Sequence, residues 1–291
     1  MYEKDLEILA INDTLKRCRT EYADATDKLI KTTQFYNSEI KDNQIDFDRK
    51  STEITLVNSG TVSAAKDILN RTGKRTAILN FADAIRPGGW VLQGAPTQEE
   101  NICRCSNLYP ALLGEEAFKN YYYVNSVYMF PKTEDELYGA DLEVPYGITW
   151  EKLSPDHAMY THRLMYFRDV TFFKDDTRYD LEKEYNLDVI TCPSPAVAWT
   201  DENTEYFVFY ERAKQIIKSA IINGVDNLVL GAWGCGAFGQ DPKVVCEVFL
   251  KVLQEYPAFE NVVFAIRCTS KDWKDNNFIA FKKVLEGALK K

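Results

Sequence analysis

The feature that most constrains the fold is a glycine turn between an apolar segment and an acidic helix start. Residues 76–82 are mostly apolar and predict a buried strand. Gly88 and Gly89 then predict a tight turn, because glycine adopts left-handed backbone conformations easily. Residues 97–100 read Thr-Gln-Glu-Glu, which is typical of a helix N-terminus. Since glycine turns and helix starts expose N–H groups to anions, this order predicts an anion site with carboxylates beside it.

A second segment, residues 228–242, has the same order of strand, glycine turn and helix start. Apolar residues are followed by spaced glycines, then by Asp241 as the predicted N-cap and Pro242 at the first helical position. In an open α/β sheet, ligands bind at the carboxyl ends of strands. The two glycine turns therefore predict a clamp around one diphosphate.

Strands and helices alternate along most of the chain. The predicted strands are residues 53–57, 76–81, 123–130, 164–173, 187–192, 227–232 and 261–267. The predicted helices are residues 3–34, 64–69, 97–113, 209–221, 241–256 and 277–289. This alternation predicts a three-layer α/β domain with helices on both faces of the sheet. The simplest division is a helical N-terminal extension, residues 1–50, and one catalytic domain, residues 51–291.

Composition excludes several classes of function. The net charge of −9 disfavours general nucleic-acid binding, and no segment reaches the ~20 apolar residues of a membrane span. Seven cysteines without a C-x-x-C pair, and no signal-peptide pattern at the start, favour a soluble cytoplasmic protein with reduced thiols. Two histidines, His157 and His162, supply a Ser–His or Cys–His nucleophile poorly. Cys235 is accordingly interpreted as an unreactive loop thiol.

With both turns considered, the chain resembles the bacterial-type poly(ADP-ribose) glycohydrolases, a branch of the macrodomain superfamily. That family has three glycines, a spacer and Gln-Glu-Glu. Here the first motif consists of Gly88, Gly89 and Trp90, a spacer of seven residues, and Gln-Glu-Glu at residues 98–100. A second family motif covers residues 230–242. The resemblance extends from about residue 53 to the C-terminus, and more loosely over the N-terminal helices. It implies an α/β/α macrodomain-like fold with a mixed sheet.

The resemblance also implies an activity and a site. The family cleaves ribose–ribose O-glycosidic bonds, releases ADP-ribose and needs no metal or other cofactor. Glu100 is then the catalytic acid/base, and Glu99 hydrogen-bonds ribose hydroxyls. The implied substrate-binding residues are Asn80, Asp83, Gly88, Gly89, Trp90, Gln98, Gly234, Cys235, Gly236, Ala237 and Phe238. The expected partners are ADP-ribose, poly(ADP-ribose) and ADP-ribosylated macromolecules.

The chain departs from the family pattern in four places. Trp90 replaces the third glycine, where three roles remain open: stacking on a ribose, narrowing the cleft or packing in the core. The other departures are Gly60 near a position often acidic in relatives, Ala196 after Pro195 in place of asparagine, and the pair at residues 239–240 in place of Arg-Asn.

Other functions remain open at this point. The chain could remove single ADP-ribose units from protein or nucleic acid, or it could be a macrodomain that binds ADP-ribose without turnover. The retained Glu100 favours an enzyme, and the absence of G-x-G-x-x-G after the first strands disfavours a dinucleotide oxidoreductase. A purely structural alternative is a capping box, in which Glu100 reaches back to the backbone of Thr97.

Overall fold

One seven-stranded mixed sheet carries the candidate site at the carboxyl ends of its central strands. The computed structural model describes residues 3–129, 160–196, 202–268 and 276–288. The strands are β1 (Gln34–Tyr36), β2 (Glu53–Val57), β3 (Thr76–Phe81), β4 (Leu164–Lys174), β5 (Leu181–Cys192), β6 (Asn227–Leu230) and β7 (Asn261–Ala265). They lie in the order β1-β4-β5-β3-β6-β7-β2. Among these strands, β4 alone runs against its neighbours, so the centre of the sheet is parallel.

Helices cover both faces of this sheet. They are α1 (Glu3–Arg19), α2 (Ala23–Thr32), α3 (Thr61–Thr72), α4 (Gln98–Cys105), α5 (Leu108–Leu112), α6 (Glu115–Ala117), α7 (Tyr123–Met129), α8 (Glu202–Ile222), α9 (Pro242–Glu255) and α10 (Asn276–Ala288). A π-helical turn at Phe118–Tyr122 joins α6 to α7. No helix in the described ranges is both long and apolar enough to span a membrane.

Two apolar cores, one on each face, show that the predicted three-layer fold is correct. Side chains of β3 alternate between them: Leu79 packs with α8 and α9, whereas Ile78 packs with α3 and α4. Every residue of β3 up to Asn80 is buried, as expected for a central parallel strand. Helices α1 and α2 contribute Ile11 and Leu29 to the same core as α4 and α5. The division at residue 50 stays a prediction.

The structure corrects three predicted elements. Residues 97–113 are not one helix, because the backbone N–H of Asn107 bonds to Thr171 of β4 and ends α4. Residues 123–129 form helix α7 rather than a strand. Burial of Tyr121, Tyr122, Val124 and Asn125 follows the spacing of one helix face. Residue 130 lies outside the described ranges.

The third correction concerns residues 3–34, which form two helices. The chain turns at residues 20–22, where the ring of Tyr22 stacks on Phe173 of β4 with centroids 4.3 Å apart. A similar tertiary effect lengthens β5. Its first half, Leu181–Asn186, is mostly polar and less buried, and it pairs with the buried end of β4. Apolar periodicity therefore indicates only the second half of β5.

Candidate active site

The site lies where two loops leave neighbouring strands. Strands β3 and β6 pair in parallel, so their carboxyl ends lie side by side. We call residues 82–97, which follow β3, the first glycine loop. Residues 231–241, which follow β6, are the second glycine loop. The adjacency of β3 and β6 therefore brings together the two loops found in the sequence.

Gln98 fixes the start of α4 against β3. Its amide nitrogen donates to the carbonyl of Leu79 at 2.8 Å and its amide oxygen accepts from the N–H of Phe81 at 2.9 Å. The side chain thus pairs with the strand backbone on both its donor and its acceptor side. A second donation reaches the hydroxyl of Thr61 at 3.2 Å. The first turn of α4 is held at a fixed distance from the strand end.

Glu99 is a buried acceptor inside the protein. Its carboxylate accepts the N–H of Asp83 at 2.7 Å and the side-chain amide of Asn80 at 3.3 Å. Burial raises the pKa of Glu99 well above its ordinary value, and the charge of Glu100 adds to this shift. Asp83 in turn accepts the N–H of Arg86 at 3.0 Å, which shapes the loop. Glu99 and Asn80 therefore orient the first glycine loop.

Glu100 is held both by the first glycine loop and by Thr97, the residue that precedes its own helix. One carboxylate oxygen accepts the N–H of Trp90 at 2.9 Å, and the other accepts the hydroxyl of Thr97. The Thr97 hydroxyl caps no backbone N–H of α4, so the capping-box alternative is wrong. The carboxylate is 4% exposed and faces the loop.

The paired glycines make this approach possible. Gly89 has φ +57°, and a side chain there would overlap the Glu100 carboxylate. Gly88 has φ +66°, and a Cβ atom would lie 2.6 Å from the ring of Tyr109. Both conformations and both contacts favour glycine. In this structure the pair of glycines makes room for the Glu100 carboxylate and for Tyr109 of helix α5.

Trp90 is not a core residue. Its side chain is 47% exposed, and the guanidinium of Arg86 lies 4.1 Å from the centre of the indole ring. The core-packing alternative is therefore wrong. Stacking on the ligand and narrowing of the cleft both remain compatible with this position.

The second glycine loop is anchored at its base and open at its tip. Trp233 is fully buried and donates its ring N–H to the carbonyl of Cys192 at 3.1 Å. Gly234 has φ +80°, and a side chain there would overlap Ser194. A Cβ atom at Gly236, in contrast, would meet nothing within 4 Å. In the part of the chain that the structure describes, the N–H groups of residues 236–238 have no acceptor.

Burial shifts the pKa values of two further residues, Cys235 and His162. Burial raises the pKa of Cys235 to about 12, so its thiol is protonated at neutral pH and is a poor nucleophile. Burial lowers the pKa of His162 well below its ordinary value, so that ring is neutral. His157 lies outside the described residues.

Tyr160 lies between the two loops, and sequence patterns did not point to it. Its ring meets Phe238 edge to face, with centroids 6.0 Å apart. Burial raises its pKa to about 12, and the nearby charge of Asp83 adds to the shift. Tyr160 therefore contacts the second loop at Phe238, and the Asp83 carboxylate of the first loop raises its pKa further.

A cavity of about 220 Å³ opens beside the start of α4. It is lined by residues from the start of α4 and from strand ends, including Gly60, Thr97, Gln98, Ala232 and Arg267. At Gly60 a side chain would overlap the buried carboxylate of Asp176, which reaches this position from the β4–β5 hairpin. A larger groove of about 980 Å³ lies between α9 and α10 and contains no predicted site residue.

The N-terminal helix α1 contacts helix α4, which carries Glu99 and Glu100. Arg104, one turn after Glu100 on α4, is fully buried and pairs with Glu7 of α1 at 2.7 Å. It also donates to the carbonyl of Ala95 in the first glycine loop at 2.7 Å. The hydroxyl of Thr14 bonds to the carbonyl of Arg104. Helix α1 therefore holds α4 through Arg104, and Arg104 links this contact to the loop that carries Trp90, a role the sequence did not suggest.

Comparison with known proteins places this chain in a family. Residues 14–175 match the family described as microbial-type PARG, catalytic domain. Among curated proteins no match was found.

Solved structures with this fold support the match. Poly(ADP-ribose) glycohydrolase from Thermomonospora curvata is 25% identical, with a TM-score of 0.75 over 96% of this chain and 98% of that chain. The same enzyme bound to the inhibitor ADP-HPD is 26% identical, with a TM-score of 0.75 over 95% of this chain and 98% of that one. The Deinococcus radiodurans enzyme in complex with ADP-ribose is 28% identical, with a TM-score of 0.72 over 90% of this chain and 97% of that one.

The family match covers more than half of the 291 residues. The resemblance seen in the sequence is thereby confirmed: this chain belongs to the microbial-type PARG catalytic domain family and is a glycohydrolase.

Proposed function

We propose that the chain hydrolyses the ribose–ribose O-glycosidic bonds of poly(ADP-ribose) to release ADP-ribose, with Glu100 as acid/base. The observation that supports this most is the placement of the Glu100 carboxylate. It is bonded to the first glycine loop through the backbone N–H of Trp90, and to the hydroxyl of Thr97, which lines a cavity at the strand ends. A carboxyl group held in this way can donate and accept the protons that cleavage of a glycosidic bond requires.

The loops supply different parts of the ligand site. The unpaired N–H groups of residues 236–238 suit the diphosphate of ADP-ribose. Since the net charge is −9, binding of an anionic ligand depends on such local donors. Phe238, which packs edge to face on Tyr160, is placed to border a ribose. The cavity lined by Thr97 and Gln98 accommodates a further part of the ligand.

One acid/base acts in both halves of the reaction. Protonated Glu100 first donates its proton to the departing ribose oxygen as the C–O bond breaks, which gives an oxocarbenium-like centre. The Glu100 carboxylate then takes a proton from water, whose oxygen bonds to that carbon. Consecutive helical residues point about 100° apart, so Glu99 does not face the bond from the opposite side. Its hydrogen bonds to Asp83 and Asn80 give it a positioning role.

We also propose a cytoplasmic protein in which residues 1–50 extend a catalytic domain of residues 51–291. No disulfide joins any of the seven cysteines, which suits a reducing compartment. Helix α1 contacts the catalytic helix through Glu7 and Arg104, so the extension serves the site.

Product analysis tests the proposed function. The protein is incubated with poly(ADP-ribose), and in parallel with proteins that carry single ADP-ribose units. We expect release of free ADP-ribose from the polymer, identified by chromatography and mass spectrometry. Binding of the polymer without any released ADP-ribose would instead identify a reader.

A further inference from the structure

Arg86 and Trp90 form an exposed stack at the rim of the site, which we call the Arg86–Trp90 platform. The guanidinium lies 4.1 Å from the indole centroid, and nearly half of the indole is exposed. No carboxylate of the described residues lies within ion-pair distance of Arg86. An aromatic surface and an uncompensated cation therefore lie together on a protein whose net charge is negative.

The platform and the cavity adjoin different oxygens of Glu100. One oxygen accepts the backbone N–H of Trp90, the residue whose indole ring belongs to the platform. The other accepts the hydroxyl of Thr97, which lines the cavity. The Glu100 carboxylate is thus bonded on one side to a residue of the platform and on the other to a residue that lines the cavity.

A hydrolase that cleaves a bond between two nucleotide units must hold one unit on each side of its acid/base. The cavity and the second glycine loop suit the unit that is released. The geometry points to the Arg86–Trp90 platform as the subsite for the unit that stays on the polymer. Its nucleobase stacks on the indole and its phosphates lie near Arg86. This inference rests on the proposed function and names the ligand as a polymer of at least two units.

The expected consequence is a preference for polymer over free ADP-ribose. Stacking of one base on an aromatic side chain is worth on the order of tenfold to hundredfold in affinity. Free ADP-ribose fills the released-unit side and gains nothing from the platform.

Binding to a turnover-deficient Glu100→Gln protein tests the subsite. Calorimetry compares free ADP-ribose with the two-unit oligomer in this background, alone and with Trp90→Gly, Trp90→Phe or Arg86→Gln. Lys251→Gln is the matched control, because Lys251 lies over the ring of Tyr210 at 4.4 Å in the same kind of contact, away from the site.

We expect Trp90→Gly to weaken the two-unit ligand about tenfold to hundredfold. Its effect on free ADP-ribose should stay below about twofold, since stacking is absent there. Trp90→Phe should retain most of the preference, Arg86→Gln should lose part of it, and Lys251→Gln should change neither affinity. Three results for Trp90→Gly would overturn the subsite. They are an equal loss of affinity for both ligands, an unchanged affinity for the two-unit ligand, and a higher affinity for it.

The two proposals fail separately. Wild-type protein that releases no ADP-ribose contradicts the proposed function. Wild-type protein that releases it, while the platform variants bind both ligands like the parent, contradicts only the subsite. Because Arg86 is exposed, we expect Arg86→Gln to fold normally. Any change in its affinity then reports on the subsite and not on folding.

Discussion

The two glycine loops share one order of elements but meet different surroundings. In the first loop, Gly88 and Gly89 face Tyr109 and Glu100, so the missing side chains make room for the protein itself. In the second loop, Gly234 packs against Ser194 in the same way, whereas Gly236 faces open space. A glycine turn after a strand therefore does two separable things: it positions a side chain, or it leaves backbone N–H groups free for a ligand.

The helices that follow the loops differ in the same sense. Asp241 caps α9 by accepting the N–H of Lys243 at 2.8 Å. Thr97, at the equivalent place before α4, bonds to the Glu100 side chain instead. Local rules of helix capping hold at α9 and are broken at α4, where the cap residue contacts the proposed acid/base. Such departures are expected at functional sites.

The largest expected effect comes from Glu100→Gln. The amide keeps the size of the side chain but neither donates the required proton nor accepts one from water. We expect kcat on poly(ADP-ribose) to fall about 10²–10⁴-fold, with ADP-ribose affinity largely retained. Glu116→Gln, at an exposed helix start, is the matched control. A folded Glu100→Gln protein with wild-type kcat would remove Glu100 from the mechanism.

Alanine at Gly89 and at Gly236 tests the contrast between the loops directly. Gly89→Ala strains a left-handed backbone and displaces the Glu100 carboxylate, so we expect turnover to fall on the order of 10²-fold. The new methyl group of Gly236→Ala meets no protein atom within 4 Å. We therefore expect an unchanged melting temperature and weaker binding of ADP-ribose. Calorimetry and thermal melts of both variants measure this. Equal effects on melting temperature would show that the loops do not differ.

Glu7→Gln tests whether helix α1 serves the first loop. It leaves the buried Arg104 without its counter-charge, which costs about 3 kcal/mol of unfolding free energy. We expect kcat to fall roughly tenfold below the melting range because α4 and the loop shift, with KM changed less. Glu21→Gln removes an ion pair at the surface between Arg17 of α1 and Glu21 in the turn that follows, and it serves as control. A loss of melting temperature with wild-type kcat at low temperature would make the contact structural only.

The smallest expected effect concerns pH and Glu99. Burial raises the pKa of Glu99 above its unfolded-chain value near 4.5. The folded state therefore binds this proton more tightly than the unfolded chain. Its contribution to stability is fully present below pH 4.5 and is lost as pH rises through the raised pKa. Glu99→Gln should remove this dependence, and urea unfolding from pH 4 upward should show the variant gaining stability relative to the wild type. Parallel curves for the two proteins would contradict the buried ionisable state.

The sequence by itself determined the strand–turn–helix units, the Asp241 cap and the family, because each of these depends on residues that are close together in the chain. Apolar periodicity over β3 and β6 reports burial directly, and glycine spacing reports turn conformation. The tertiary structure decided what lies against each loop. Glu7 meets Arg104 from 97 residues away, and Asp176 fills the space at Gly60. Tyr160 reaches Phe238 across the cleft, and pairing of Asn107 with β4 ends α4. No local pattern encodes these contacts, because each depends on how separate elements pack, and packing also decided that Thr97 bonds to Glu100 rather than to its helix.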